Sequence, residues 1–137
     1  MFEPARPEDL PQLREHIQRL RLDGENLAPE QFLVVRREGR IVAFGRIKPY
    51  RACHELGAVG VLESERGQGL GEAMVRELIR RFPSREVWIT TDLHAYFERF
   101  GFVRVEEGVP AELAEKLARI CGSLRQNVVA MRLVKSD

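Results

Sequence analysis

The chain predicts an α/β fold, more narrowly α+β, with a mixed and mostly antiparallel sheet flanked by helices. Three observations carry that expectation. Apolar residues at helical spacing alternate with short β-rich runs in the order β-α-β-β-β-α-β-α-β, with a further helix before the last strand. Strands follow one another at a tight turn with no helix between them, which points to a mixed sheet rather than a doubly wound one. No linker, fixed-period repeat or low-complexity tract interrupts the 137 residues, so a single domain over 1–137 is expected.

Phe2 to Ala5 is a short strand, and Pro7-Glu8-Asp9 opens a helix on which Leu10, Leu13, Ile17 and Leu20 share one face. Asp23-Gly24 ends it. After a loop through Pro29, Phe32 to Arg37 and Ile41 to Lys48 flank Glu38-Gly39-Arg40 as a β-hairpin, closed by Pro49. Glu55 to Leu62 is the next strand. The following helix repeats apolar residues at Leu70, Met74, Leu78 and Phe82 until Pro83 stops it. Val87 to Thr91 is a strand, Leu93 to Phe100 a short helix, and Phe102 to Val105 a strand. Pro110 to Cys121 forms a helix ended by Gly122, and Val128 to Val134 supplies the last strand.

Lys and Arg number 22 against 21 Asp and Glu, so the net charge of +1 gives no field to draw in nucleic acid or an anionic membrane. Neither is expected as a partner. With 44% apolar residues, the chain can bury a core. A domain of this size hides roughly two thirds of its unfolded surface. Cys53 and Cys121 form no C-x-x-C and the start is not signal-like, so no metal site or disulfide framework is expected, and a reduced cytoplasmic setting is. No apolar run approaches the roughly 18 residues of a membrane span.

Arg66-Gly67-Gln68-Gly69-Leu70-Gly71 lies between the apolar run Leu56 to Leu62 and the amphipathic run Met74 to Phe82. Three glycines in five positions let the backbone approach a ligand in conformations that a Cβ forbids, and the next helix adds its positive end. The segment reads as a pyrophosphate cradle. A dinucleotide fold would space its glycines as G-x-G-x-x-G, and a nucleoside-triphosphate loop would end in Lys-Ser or Lys-Thr. R-x-x-G-x-G instead resembles the acetyl-CoA loop of the GNAT acetyltransferase superfamily. Thirty residues on, Tyr96-Phe97-Glu98-Arg99-Phe100-Gly101-Phe102 resembles that superfamily's second signature, Y-E-K-x-G-F, in which a short helix ends at Gly and enters a strand. Without the resemblance, the two segments are a strand-to-helix turn and a capped helix.

The resemblance implies the GNAT fold and transfer of acetyl from acetyl-CoA, as cosubstrate, to the amine of a small molecule. It implies coenzyme contacts from Val59, Gly60 and Val61, from Arg66, Gly67, Gln68, Gly69, Leu70 and Gly71, and from Phe97 and Phe100. It also implies a homodimer through the final strands. The chemistry makes three demands: the amine must lose a proton, the oxyanion needs a donor, and the thiolate needs a proton or a tolerant site. Backbone amides around Val59 to Val61 are the oxyanion donors that the superfamily implies.

His54-Glu55-Leu56-Gly57-Ala58-Val59 resembles the A-E-L-x-x-L-A-V stretch in the acetyltransferase domain of bacterial N-acetylglutamate synthases, whose Glu is a proposed base. Glu55 is therefore the candidate base, and otherwise a solvated strand-end carboxylate. An ordinary carboxylate facing an α-ammonium is mismatched by roughly 5 kcal/mol, a gap for burial or a water relay to close. The superfamily's catalytic Tyr position holds Phe97, with Tyr96 turned about 100 degrees away on the helix. N-acetylglutamate synthases share that departure, with a hydroxyl on the preceding strand proposed as the acid, which implies Thr90; Tyr96 is the second candidate. Arg46, Lys48, Arg51 and Arg132 are the cations available for a carboxylate-bearing acceptor.

The tail, Val109-Pro110-Ala111-Glu112 through Cys121 and then Val129 to Leu133, also looks like that of the synthases, with Gly122 where they have Pro. An amino acid such as glutamate is thus the favoured acceptor. A protein N-terminus, a polyamine or an antibiotic are alternatives, and Phe97 at the usual Tyr position leaves open a non-catalytic acetyl-CoA sensor.

Overall fold

The computed structural model describes residues 1–121 and 127–136, with the backbone alone at Ile120 and Cys121. Its described strands are β1 (Phe2–Pro4), β2 (Phe32–Arg37), β3 (Arg40–Pro49), β4 (His54–Val61), β5 (Glu86–Thr91), β6 (Val103–Val105) and β7 (Val129–Val134). The α-helices are α1 (Leu10–Arg19), α2 (Leu70–Arg81), α3 (His94–Glu98) and α4 (Ala111–Cys121). Strand order is β1-β2-β3-β4-β5-β7-β6. The pairs β1–β2, β2–β3, β5–β7 and β6–β7 are antiparallel and β4–β5 is parallel, which makes the sheet mixed and mostly antiparallel, as expected.

Most element ends differ from the sequence reading by a residue or two, for local reasons; α1 is shorter than expected, because Pro7–Asp9 forms a 3-10 turn before it and it stops at Arg19, ahead of Asp23-Gly24. Pro110 stands just outside α4 because its carbonyl accepts the first N–H groups of the helix, from Leu113 at 3.0 Å and Ala114 at 2.9 Å. Past α3, Phe102 N–H bonds to Phe97 O and Gly101 N–H to Glu98 O around a φ of 101° at Gly101, while the Phe97 and Phe102 rings meet at 5.8 Å. This is a Schellman stop with its apolar contact. Gly122, expected to end α4, lies outside the described residues. Short 3-10 turns at Pro29–Gln31 and Glu63–Glu65 occupy segments read as loop.

By internal contacts the chain forms two compact units, Met1–Lys48 with Leu56–Arg81, and Pro49–Glu55 with Phe82–Asp137. In the first, Glu38 and Gly39 both take positive φ and close the β2–β3 hairpin with a two-residue turn between Arg37 and Arg40, matching the strand twist. Its core joins Leu13 and Ile17 of α1 to Phe32, Val34, Ile41, Phe44 and Ala58 of the sheet. Burying each large side chain contributes about 1.5–3 kcal/mol. Arg36 clamps Asp9 through two hydrogen bonds and also reaches Glu3, which holds the Asp9 carboxyl below its usual range.

His16 of α1 is buried in this unit and stacks on Phe44, with ring centroids 6.0 Å apart. Burial lowers its pKa, with the Arg19 charge adding to the effect. The unfolded chain therefore binds a proton near the ordinary histidine value that the folded chain refuses. Stability is expected to be full above that value, to fall as the pH drops below it, and to level off once the lowered folded value is passed. Urea titrations from pH 7.5 to 5 check this. His16→Phe should flatten the dependence, and an equal slope in that variant would assign it to other groups.

The second unit packs Trp88, Leu113 and Ala130 with Tyr50, Cys53, Val105, Val109 and Leu117. Here β7 is central, pairing Trp88 with Arg132 on one side and Val103 with Arg132 on the other.

Candidate active site

The glycine-rich loop belongs to the first unit. Arg66 is extended, Gly67 has φ 82° and Gly69 φ 75°, and α2 begins at once, its first bond running from Ala73 N–H to Gly69 O at 3.0 Å. A Cβ at Gly67 or Gly69 would meet nothing within 4 Å, so these glycines serve backbone conformation, and the space in front of them is open. Residues 66–69 are exposed while Leu70 is buried and anchors the helix. Arg66 turns back to Val61 O at 3.2 Å, and Arg37 reaches Glu65 and Gln68. The donor-rich start of a 12-residue helix behind open, positive-φ glycines suits a phosphate-bearing ligand.

Within β4, Ala58 has φ 46°, a conformation that costs a non-glycine residue roughly 1–3 kcal/mol. Its side chain is buried in the core of the first unit. It immediately precedes Val59, Gly60 and Val61. Val59 and Val61 are half-buried, and Gly60 packs so tightly that a Cβ would lie 2.5 Å from the Phe44 ring.

Glu55, at the start of β4, belongs to the second unit and is 2% exposed, not a solvated strand end. The parallel register sets it opposite Trp88 of β5. Its Oε1 accepts the Tyr50 hydroxyl at 2.8 Å; its Oε2 accepts the Thr90 hydroxyl at 2.6 Å and Lys116 Nζ at 2.9 Å. A carboxylate offers about four acceptor positions, so these donors leave one lone pair, on Oε1. The fold thus brings Glu55 and Thr90 into direct contact across 35 residues of chain. Tyr96 stands in an aromatic group with Phe97 at 5.0 Å and Phe100 at 5.4 Å, under the Arg99 guanidinium. Phe97 is buried and Phe100 half-buried.

Arg46 and Lys48 are buried rather than solvated, at 1% and 3% exposure. Arg46 donates to Gln31 Oε1 at 2.7 Å, to Asp23 O at 3.1 Å, to Asn26 O at 2.9 Å and to Glu25 O. Lys48 pairs with Asp23 at 3.0 Å. Both brace the segment before β2, and either would have to exchange a partner to hold an acceptor. Arg51 is exposed in the turn closed by Tyr50 N–H on Cys53 O. Arg132 is part-exposed, lying over the Trp88 ring and 3.4 Å from Glu86. Among the described residues, no group of three or more His, Cys, Asp or Glu could hold a metal ion.

Tyr50 and Lys116 escaped the sequence reading. Lys116 had left a signal, since it follows Leu113 by one turn on the apolar stripe of α4. Tyr50, just past Pro49, had left none.

The chain belongs to the acetyltransferase (GNAT) family, whose model matches residues 1–102. No curated protein matches it. Among solved structures it resembles Rv2747 from Mycobacterium tuberculosis in complex with CoA and NLQ, at TM-score 0.76 and 21% identity over 99% of each chain. It also resembles N-acetylglutamate synthase from Neisseria gonorrhoeae complexed with coenzyme A and N-acetyl-glutamate, at TM-score 0.80 and 15% identity; all of this chain is covered, but it spans only 35% of that one. Ard1 from Thermoplasma volcanium follows at TM-score 0.67 and 16% identity over 100% of this chain and 98% of that one. At such identities the likeness is one of fold.

Proposed function

We propose that the protein is a cytoplasmic N-acetyltransferase that uses acetyl-CoA to acetylate the amine of a small molecule, with an amino acid such as glutamate as the favoured acceptor. The observation that carries this reading is the 2.6 Å hydrogen bond between Glu55 and Thr90. The synthase resemblance singles out these two residues as base and acid. Their joining in one part-buried cluster around the Glu55 carboxylate supports the pairing.

Acetyl-CoA supplies an activated acetyl group as a thioester. The glycine loop and the start of α2 would hold its pyrophosphate. Amides of residues 59–61, next to the strained Ala58, would face the developing oxyanion. Glu55 would take a proton from the acceptor ammonium at Oε1, directly or through one water, and release it to solvent. Thr90 would give its hydroxyl proton to the departing thiolate as its oxygen takes one from the attacking nitrogen, so that one proton of that nitrogen ends on the thiol and the other in water.

The burial of Arg46 and Lys48 favours a second reading, in which the acceptor carries fewer carboxylates than glutamate and only the more exposed Arg51 and Arg132 engage it. Thiol release measured over a panel of amines decides between them. Glutamate is expected to give higher initial rates than polyamines or aminoglycosides. Neutralising the cation that binds its carboxylate should raise KM by about 10- to 150-fold, as expected for a charged hydrogen bond of roughly 1.5–3 kcal/mol. Faster turnover of polyamines, or an unchanged KM in variants of all four cations, would overturn the amino-acid reading. Coenzyme binding without turnover of any amine would favour a sensor.

A further inference from the structure

Lys116 is 7% exposed, on the apolar face of α4 beside Leu113 and Leu117, with its ammonium 2.9 Å from Glu55 Oε2. Taking both ions out of water is costly, and apolar residues of similar size would attach α4 at least as well. The pair is therefore poorly explained as a stability device. The carboxylate is gripped from three segments, by Tyr50 after β3, Thr90 of β5 and Lys116 of α4, and Lys116 alone among these carries a positive charge.

Resting on the reading of Glu55 as the proton acceptor, we propose that Lys116 is the positioning residue of that base: it supplies the counter-charge of the Glu55 carboxylate and, with Thr90, occupies Oε2, so that Oε1 takes the proton. The proton leaves the acceptor ammonium, forms an O–H bond at Oε1 and passes from there to water; Lys116 stays an ammonium throughout. Among the described residues, Tyr50 is a further ionisable group on the carboxylate, and Cys53 lies within the electrostatic reach of Glu55, Glu112 and Glu86. Glu112 Oε2 accepts the Ala52 N–H at 3.2 Å. The Cys53 thiol is pushed up to about 11, mainly by burial and then by Glu112, Glu55 and Glu86, so it is neutral at working pH.

The test compares Lys116→Gln, which keeps a donor without the charge, with Lys116→Arg, which keeps the charge. Removing an opposite charge at this distance raises a carboxyl titration by about 1–3 pH units. In Lys116→Gln the acidic limb of kcat should therefore move up by that much, with KM for acetyl-CoA unchanged and the lost rate recovered at higher pH. Lys116→Arg should remain near wild type. A structural role alone would give a loss that pH does not restore.

The Glu55 carboxyl titration, followed by 13C NMR in the same proteins, needs no turnover. It separates failure of this proposal from failure of the acetyltransferase reading. An unmoved Glu55 titration in Lys116→Gln overturns the counter-charge, whatever the activity. A moved titration with no thiol release from any amine sinks the catalytic reading on which the positioning role depends. If Lys116→Gln does not fold, the reciprocal measurement serves: Lys116 Nζ should titrate lower in Glu55→Gln than in wild type, and an equal value overturns the proposal.

Discussion

Gly69→Glu is expected to abolish the thermal stabilisation that acetyl-CoA gives the wild-type protein. At a hundred times Kd the coenzyme should add about 2.7 kcal/mol to the wild type. The substitution acts in two ways. At φ 75° any Cβ is disfavoured, by roughly 1–2 kcal/mol, and the new carboxylate stands in the open space before the start of α2, where a phosphate would lie. Gly69→Ala isolates the first effect, because its methyl meets no neighbour within 4 Å. Alanine should lower the apo stability while keeping most of the coenzyme shift; glutamate should lose both. Equal shifts in all three proteins, by differential scanning fluorimetry, would remove the loop as the phosphate cradle.

Glu55→Gln is expected to lower kcat by about 10²- to 10⁴-fold, with acetyl-CoA affinity unchanged. The amide keeps the shape, and its single oxygen serves at most two of the Tyr50, Thr90 and Lys116 donors, but it takes up no proton. It also leaves the Lys116 ammonium without its counter-charge, and breaking a buried pair costs about 3–5 kcal/mol. Rates should therefore be compared well below the variant's unfolding temperature, with its circular dichroism matched to wild type. A variant that keeps both the wild-type rate and the acidic limb of its pH profile would place the base elsewhere.

The elements were legible in the sequence because their causes are local. Leu10, Leu13 and Ile17 repeat at helical spacing, Glu38-Gly39 can take the two positive φ values of a tight hairpin turn, and Pro83 cannot continue a helix. The glycine loop was legible for the same reason, since a positive φ at Gly67 and Gly69 marks the residue itself. Ala58 shows the limit. Nothing local calls for φ 46° at an alanine inside a strand, and the residue is buried in the core of the first unit, formed by segments distant in the chain.

The sequence by itself determined the order of strands and helices, the family resemblance and the place of the glycine-rich loop, because spacing, chirality and missing side chains act within a few residues. The tertiary structure alone decided which charges are buried and what they touch. Arg46 and Lys48 read as strand cations open to solvent or substrate until carbonyl and carboxylate oxygens of residues 23–26 close over them. Glu55 read as a strand-end acid until Tyr50, Thr90 and Lys116 surround it. Whether a charged group can leave water depends on partners that the fold delivers from tens of residues away, and that condition has no local signature.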